Sequence, residues 1–246
     1  MKTNAIIVHK LGGPEEMIWE EVDVPAPSEN EVLIKQNVIG LNFIDTYFRS
    51  GLYPAPLPTP LGMEASGIIE QVGANVTEFQ EGDRVAYASP PLGSYSEKRV
   101  MPINNIVKIP NDISDELAAA IMLKGMTAEY LVRRTFEVKP GQTVLFHAAA
   151  GGVGLIACQW LKAIGANVIG TVGSEDKAKL AQANGCDHTI LYKEEDFVEK
   201  VKEITNGEGV PVVYDSVGKD TALKGLDCLS PLGLLVIFGN SSGNAP

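Results

Sequence analysis

A glycine-rich segment between two apolar segments constrains this chain most. Residues 143–148 are typical of a buried strand, and residues 152–164 are typical of a helix that Gly165 would end. Between them lies the run Ala149-Ala150-Gly151-Gly152-Val153-Gly154. This run matches the pattern G-x-G-x-x-G, with alanine at the first position. A strand that turns through such a segment into a helix is typical of a dinucleotide-binding βα unit.

The residues around this segment follow two different patterns. After residue 143, strand-like runs at 167–172, 188–192, 211–216 and 234–238 alternate with helix-like runs at 174–184, 194–205 and 219–229. Residues 1 to about 110 instead hold short β-rich runs and turns, and 114–134 reads as a helix. We therefore predict an α/β protein: a small antiparallel β-barrel domain at 1–125, and a doubly wound parallel sheet of about five strands at 126–246.

Composition excludes several classes of function. The net charge of −11 disfavours nucleic acid as a partner, because phosphates repel an acidic surface. No run reaches the roughly 18 apolar residues that a membrane span needs. The three cysteines, Cys158, Cys186 and Cys228, are far apart, which favours neither disulfides nor structural zinc. These features predict a cytoplasmic protein that is not bound to a membrane.

The glycine-rich segment predicts a site for a diphosphate. Without a side chain at Gly151, the backbone can approach the phosphates, and Gly154 allows the helix to pack closely on the sheet. Gly152 and Val153 would present N–H groups at the positive end of the helix. The alternative is a glycine-rich turn in an ordinary α/β protein.

The tip of the second parallel strand favours NADP over NAD. An NAD site places a carboxylate there to bind the ribose hydroxyls, but this strand ends in Gly173 and Ser174. Glu175 and Asp176 begin the next helix, where acidic residues suit the helix dipole. Gly173, Ser174 and Lys177 would form a pocket for a 2′-phosphate, unless Lys177 is an ordinary solvated lysine. We therefore expect NADPH as the cofactor.

Several motifs along the whole chain resemble one family. Gly62-Met63-Glu64-Ala65-Ser66-Gly67, followed by Gly73 and Val76, resembles the G-H-E-x-x-G element of the medium-chain dehydrogenase/reductase superfamily. Segments 42–47, 49–53, 123–128 and 238–243 resemble the bacterial quinone oxidoreductases, relatives of zeta-crystallin. The resemblance implies a GroES-like domain followed by a Rossmann-type domain.

The resemblance also implies the residues that contact the cofactor. They are Tyr130, Gly152, Val153, Gly173, Ser174, Lys177, Tyr192, Ser216, Val217, Phe238, Gly239, Asn240 and Ser241. Val217 and Gly239 have independent support, because they follow predicted strand ends, where α/β sheets bind ligands. Tyr192 ends a strand and would cover the adenine. For Tyr192 and Phe238 the alternative is core packing.

Departures from the superfamily pattern predict chemistry without zinc. The zinc alcohol dehydrogenases have a histidine where this chain has Met63, and a cysteine in the segment 42–45, where this chain has none. A thioether is a poor zinc ligand. The four-cysteine zinc lobe is also absent, since residues 87–95 hold proline, serine and glycine instead. We therefore expect reduction of a substrate that conjugation already activates.

The family analogy places that substrate, a quinone or an α,β-unsaturated carbonyl, in a cleft between the domains. The candidate catalytic residues are Asn42, Asp45, Tyr47, Tyr53 and Thr127. The tyrosines would stack on a flat ring and donate hydrogen bonds, but packing beside the proline-rich stretch is the alternative. Asn42 and Asp45 could instead fix a turn. His147, inside a buried strand, is expected to be a satisfied core histidine.

The family's chains continue beyond the point where this sequence ends. They add a sixth strand to the parallel sheet, so here an edge strand and part of the barrel closure are expected to be missing. The resemblance implies a homodimer for a full-length parent and leaves the oligomeric state of this chain open. Two other functions also stay open: an NADPH-dependent alkenal or enone reductase, and a nucleotide-binding crystallin-like protein without activity.

Overall fold

The computed structural model describes all residues, 1–246. They form two compact units, Met1–Leu123 and Lys124–Pro246. No helix is both long and apolar enough to cross a membrane.

The first unit is built from antiparallel strands. They are β1 (Lys2–Val8), β2 (Met17–Asp23), β3 (Glu31–Gly40), β4 (Thr59–Pro60), β5 (Glu64–Val72), β6 (Arg84–Ala88), β7 (Lys98–Pro102) and β8 (Val107–Lys108). One sheet has the order β2-β1-β4 and the other β7-β3-β5-β6-β8. A bridge between Ala5 and Ser96 links the two sheets. The GroES-like architecture implied by the sequence is confirmed.

A buried apolar cluster stabilises the larger sheet. Val32, Ile34, Ile69, Tyr87 and Met101 are almost completely shielded from water. Each side chain of this size contributes roughly 1.5–3 kcal/mol when it is fully buried. This cluster holds the first half of β3 against β5, and the candidate catalytic segment follows the other end of β3.

The second unit is a parallel sheet with helices between its strands. Its elements are β9 (Thr143–Phe146), α3 (Gly152–Ile164), β10 (Asn167–Val172), α4 (Glu175–Ala183), β11 (His188–Leu191), α5 (Phe197–Ile204), β12 (Val210–Asp215), α6 (Ala222–Leu226) and β13 (Leu229–Ile237). The strand order β11-β10-β9-β12-β13 reverses direction at β9. This is the doubly wound order, and the predicted fold class is confirmed.

Two further helices complete the chain, α1 (Phe43–Ser50) and α2 (Asp115–Tyr130), and a π-helical turn at Leu131–Thr135 extends α2. The hydroxyl of Tyr214 in β12 donates a hydrogen bond of 3.1 Å to the carbonyl of Leu131. Because Tyr214 is fully buried, this bond satisfies the only polar atom of its side chain and ties the extended end of α2 to the sheet.

Three elements, α5, α6 and β13, differ most in their bounds from the sequence predictions. Helix α5 begins at Phe197, not at 194, because the Asp196 carboxylate caps it by accepting the N–H of Val198 at 2.9 Å. Helix α6 covers only Ala222–Leu226, not 219–229. Strand β13 begins at Leu229, because Leu229 pairs with Val210 of β12. The helix and strand predictions for 219–238 were therefore wrong in their bounds, since local periodicity does not report non-local pairing.

Candidate functional site

The glycine-rich loop makes a tight turn between β9 and α3. Ala148 has a positive φ of 55°, and the Gly151 N–H donates to the Ala148 carbonyl at 2.8 Å. A Cβ atom on Gly154 would lie 2.5 Å from the Ala148 oxygen and 2.6 Å from the Ala149 oxygen. Backbone atoms at these distances cannot move aside, so only glycine fits there. The first turn of α3 then directs N–H groups that have no intrahelical acceptor towards the loop.

A cleft of about 550 Å³ opens at the carboxyl ends of the parallel strands, beside this loop. Six of the predicted cofactor residues line it: Gly151, Gly173, Lys177, Tyr192, Val217 and Ser241. Sequence reasoning missed other lining residues, among them Thr171, Lys193, Asp196, Phe197, Asp220, Thr221 and Lys224. Lys193 follows the end of β11 closely, so applying the strand-end rule to that strand would have found it, whereas Thr171 lies inside β10 and Phe197 and Lys224 lie inside helices.

The remaining predicted cofactor residues lie near the cleft or in the core, without lining it. Gly152, Val153 and Gly154 form the first turn of α3, and Ser174 caps α4 through its hydroxyl, which accepts the Lys177 N–H at 3.4 Å. Ser216, Gly239 and Asn240 form the loops after β12 and β13. The Phe238 ring packs on Phe146 at 5.7 Å between centroids. Tyr130 ends α2 and is 40% exposed.

Tyr192 stands over Gly173 at the tips of β10 and β11. A Cβ atom on Gly173 would lie 3.4 Å from the Tyr192 hydroxyl and 3.7 Å from Cε of Lys193. Tyr192 is 45% exposed, so it is not a core residue. The absence of a side chain at Gly173 therefore keeps open the space under a hydroxyl group and a lysine.

Asp215, at the end of β12, shapes another side of the cleft. Its carboxylate is fully buried and accepts hydrogen bonds from the N–H groups of Val217 (2.7 Å) and Gly218 (3.0 Å), and from the Thr221 hydroxyl (2.7 Å). These three bonds fix the turn that carries Val217 and Thr221 to the cleft. Sequence reasoning missed Asp215, although a carboxylate at a strand end is a recognisable signal.

His147 is buried behind the cleft, as expected, but it is satisfied at one nitrogen only. Its Nδ1 lies 2.9 Å from the Thr171 hydroxyl, whereas Nε2 has no hydrogen-bond partner. The ring packs edge-on against Phe197, with 5.0 Å between centroids. Burial lowers the pKa of His147 to about 4, although the negative charge of Asp215 acts in the opposite direction.

Two of the candidate catalytic residues belong to a buried polar cluster in the first unit. Asn42 caps α1, and its N–H donates to Oδ2 of Asp45 at 3.0 Å. The Tyr95 hydroxyl donates to the same oxygen at 2.7 Å. Burial and this contact with Asp45 raise the pKa of Tyr95 well above its ordinary value. The contact between Asn42 and Asp45 fixes the turn that opens α1. This is the role that the sequence left as the alternative to catalysis.

Glu64 completes this polar cluster and was not singled out from the sequence. It is fully buried and accepts the Asn42 side-chain amide at 2.7 Å through Oε2, and the Leu123 N–H at 2.7 Å through Oε1. Its position in the glycine-containing element of segment 62–67 was the available signal. Glu64 orients the Asn42 amide, because it holds one of the two amide hydrogens.

Tyr47 and Tyr53 pack against each other, with ring centroids 5.0 Å apart. Phe43 meets Tyr47 edge-on at 5.6 Å, and Phe48 meets Tyr53 at 5.7 Å. Tyr47 is buried and Tyr53 half-buried. A neighbouring pocket of about 310 Å³ is lined by Leu41, Asn42, Phe43, Asp45 and Tyr95, among others. Thr127 lies in α2 and is half-buried.

The donor atoms that a zinc ion requires are not assembled. No three His, Cys, Asp or Glu side chains come together in an arrangement that could hold a metal ion. All three cysteines are buried as free thiols. Zinc-independent chemistry stays a prediction, based on the residue types at Met63 and in segment 42–45.

Comparison with known proteins agrees with this architecture. The alcohol dehydrogenase GroES-like domain matches residues 28–111, and the zinc-binding dehydrogenase domain matches residues 152–246. A quinone oxidoreductase of Pseudomonas aeruginosa is 55% identical over 94% of this chain and 72% of its own length. A 2-haloacrylate reductase of Burkholderia is 50% identical over 98% of this chain and 74% of its own length.

A solved structure extends the similarity to three dimensions. The quinone oxidoreductase of Escherichia coli, complexed with NADPH, superposes with a TM-score of 0.95 at 54% identity, covering 99% of this chain and 75% of the other. An antiparallel first unit followed by a doubly wound unit with a cleft at its strand ends defines the medium-chain dehydrogenase/reductase class. Within that class the chain belongs to the quinone oxidoreductase family, as its sequence predicted.

Proposed function

We propose that this protein is a zinc-independent NADPH:quinone oxidoreductase. In this proposal, residues 126–246 hold NADPH, and residues 1–125 carry all the candidate catalytic residues except Thr127. One observation supports the proposal above all others. The Gly151–Gly154 loop borders a cleft in which Lys177 and Tyr192 surround a strand tip that carries no carboxylate.

The residues of the cleft fit NADPH. Gly154 permits the close turn, and the unsatisfied N–H groups of α3 suit a diphosphate. Lys177 is placed to attract the 2′-phosphate, with the Tyr192 hydroxyl above Gly173. We also propose contacts from Tyr130, Ser174, Ser216, Val217, Phe238, Gly239, Asn240 and Ser241, as the family resemblance implies.

NADPH supplies a hydride when it is bound, and reduction of a quinone to a hydroquinone takes up one further proton. The protein's own contribution is to bind, orient and stabilise. Asn42 would direct an N–H group at the substrate oxygen that gains negative charge, because Glu64 already fixes its amide. Tyr47 and Tyr53 would contact a flat ring, and Asp45 and Thr127 would position it. These roles apply equally to a conjugated carbonyl.

A second candidate function rests on a specific similarity. The Burkholderia relative is named a 2-haloacrylate reductase, and its 50% identity is close to that of the quinone oxidoreductases. A haloacrylate carries a double bond conjugated with a carboxylate, so its reduction also needs no metal to polarise an alcohol. An α,β-unsaturated carbonyl compound is therefore the alternative substrate.

Both candidates are tested by following NADPH oxidation with 1,4-naphthoquinone and with 2-chloroacrylate. We expect faster turnover with naphthoquinone and no change after treatment with EDTA. Preference for chloroacrylate would favour the second candidate, and a loss of activity with EDTA would contradict zinc independence. Binding of NADPH without turnover of either substrate would instead support a nucleotide-binding protein without activity.

We further propose a cytoplasmic homodimer. The three free, buried thiols suit a reducing compartment. The homodimer is proposed on the family resemblance, which implies it for a full-length parent. Light scattering coupled to size-exclusion chromatography tests the assembly, and a monomer at all concentrations would contradict it.

A further inference from the structure

Lys193 lies beside the same strand tips as Lys177 but was not among the residues implied by the family resemblance. Strand β11 ends at Leu191, so Lys193 follows directly after Tyr192 at the carboxyl edge of the sheet. Its side chain lines the cleft together with Lys177. The Lys193 Cε atom would lie 3.7 Å from a Cβ on Gly173, so the lysine passes beside the space that Gly173 leaves open.

The two lysines at these tips differ from the other charged groups around the cleft. Lys224 forms an ion pair of 3.0 Å with Asp196, and Glu195 pairs with Lys200 at 3.9 Å. The ammonium groups of Lys177 and Lys193 form neither an ion pair nor a hydrogen bond with the protein. Asp220, the remaining acidic residue of the lining, belongs to the turn after β12, away from the tips of β10 and β11 in sequence and in strand order.

Two unpaired cations beside one strand tip favour a ligand group with more than one negative charge. A phosphate monoester carries about −1.5 to −2 at neutral pH and offers three acceptor oxygens. One lysine supplies a single positive charge, whereas two lysines and a tyrosine hydroxyl supply two positive charges and three separate donor groups, one for each phosphate oxygen. A ribose without a 2′-phosphate would leave both ammonium groups of this cleft without a compensating negative charge.

We propose that Lys193 is a second cation for the 2′-phosphate of NADPH, acting together with Lys177, and that it helps to set the preference for NADPH over NADH. This inference rests on the proposed function, because it assumes that the cleft holds the adenosine end of the cofactor. It adds a specificity-determining residue to that site and assigns the Tyr192 hydroxyl, which lies nearest to Gly173, to the same phosphate.

The test compares the binding of 2′,5′-ADP and 5′-ADP by isothermal titration calorimetry. The proteins are the wild type and the Lys193→Ala, Lys193→Arg and Lys177→Ala variants. Lys179→Ala is the matched control, because Lys179 is also on α4 and exposed, but pairs with Asp176 at 3.7 Å and does not line the cleft. We expect Lys193→Ala to weaken 2′,5′-ADP about ten-fold, with 5′-ADP unchanged. Lys193→Arg should largely restore affinity, and Lys179→Ala should change nothing.

The outcomes separate this inference from the proposed function. If the wild type binds 2′,5′-ADP no better than 5′-ADP, the assignment of NADPH itself fails. If the wild type prefers 2′,5′-ADP and Lys193→Ala keeps that preference, only the role of Lys193 is refuted. An equal loss for both nucleotides would mean that Lys193 supports the cleft structurally, which also overturns the proposal.

Discussion

The buried polar cluster of the first unit and the open cleft of the second differ in whether their polar and charged groups have protein partners. Asn42, Asp45, Glu64 and Tyr95 bond to one another and to nearby backbone N–H groups. The ammonium groups of Lys177 and Lys193, in contrast, have no protein partner in their cleft. Groups that satisfy one another hold a geometry in place, whereas groups without partners favour a ligand that brings the opposite charge.

This contrast predicts that substitutions in the two regions have different effects on stability and on ligand affinity. A change in the first cluster should lower stability, because it leaves buried donors without acceptors. A change among the cleft lysines should lower ligand affinity and leave stability almost unaltered, because exposed charges contribute little to folding. The glycine-rich loop lies between these cases, since it serves both the packing of α3 and the cofactor.

The largest effect is expected from Gly154→Ala, which disrupts the glycine-rich loop of the second unit. The new Cβ would meet two backbone oxygens at 2.5 and 2.6 Å, so α3 must move away from the sheet. We expect a loss of about 4 kcal/mol in the free energy of unfolding and loss of NADPH binding. Urea denaturation and fluorescence titration with NADPH measure these effects.

Gly151→Ala is the matched control for that substitution. A Cβ on Gly151 would meet the Ala148 oxygen only at 3.0 Å, and its φ of −81° suits any residue. It should cost far less stability than Gly154→Ala. Equal losses from the two variants would contradict the requirement for close packing at Gly154.

The next largest effect is expected from Glu64→Ala, which tests the buried polar cluster of the first unit. Removing the carboxylate leaves the Asn42 amide and the Leu123 N–H without this acceptor in a buried site. We expect the free energy of unfolding to fall by roughly 3 kcal/mol, with unchanged binding of 2′,5′-ADP. Glu64→Gln keeps one acceptor oxygen and should lose less. A weakening of nucleotide binding that matches the loss of stability would abolish the distinction between the two regions.

A smaller decrease in the free energy of unfolding is expected from protonation of His147 as the pH falls. Its pKa is about 4 in the folded protein, below its ordinary value of 6.5, so the unfolded chain binds the proton more tightly. Stability is therefore present above pH 6.5 and is lost as the pH falls towards 4. Between pH 6.5 and pH 5 the loss in the free energy of unfolding should be about 1.5 kcal/mol.

The His147→Asn variant isolates this titration from that of the carboxylates. Asparagine does not titrate and can still bond to the Thr171 hydroxyl, which contacts Nδ1 of His147 at 2.9 Å. Subtracting its unfolding free energies from those of the wild type at each pH leaves the histidine contribution. Identical pH profiles for the two proteins would show that His147 does not titrate in this window.

Some features could be predicted from the sequence because local interactions determine them. The bounds of α3 and β10 match the predictions, since a glycine-rich turn opens α3 and Gly165, with a φ of 90°, ends it. Ser174 caps α4 as expected, because a cap depends only on residues three positions apart. The absence of a carboxylate at the tip of β10 is likewise visible in the sequence.

Only the tertiary structure could reveal the groups that meet across the fold. Asn42 and Glu64 are 22 residues apart, and Gly173 lies beside Lys193 because β10 and β11 pair in parallel. The start of β13 at Leu229 likewise depends on its pairing with β12. The sequence alone determined the elements and the nucleotide loop, because their signals are short-range. Which polar groups find partners, and which lysines stay available for a ligand, was decided by strand order and register, which depend on long-range packing.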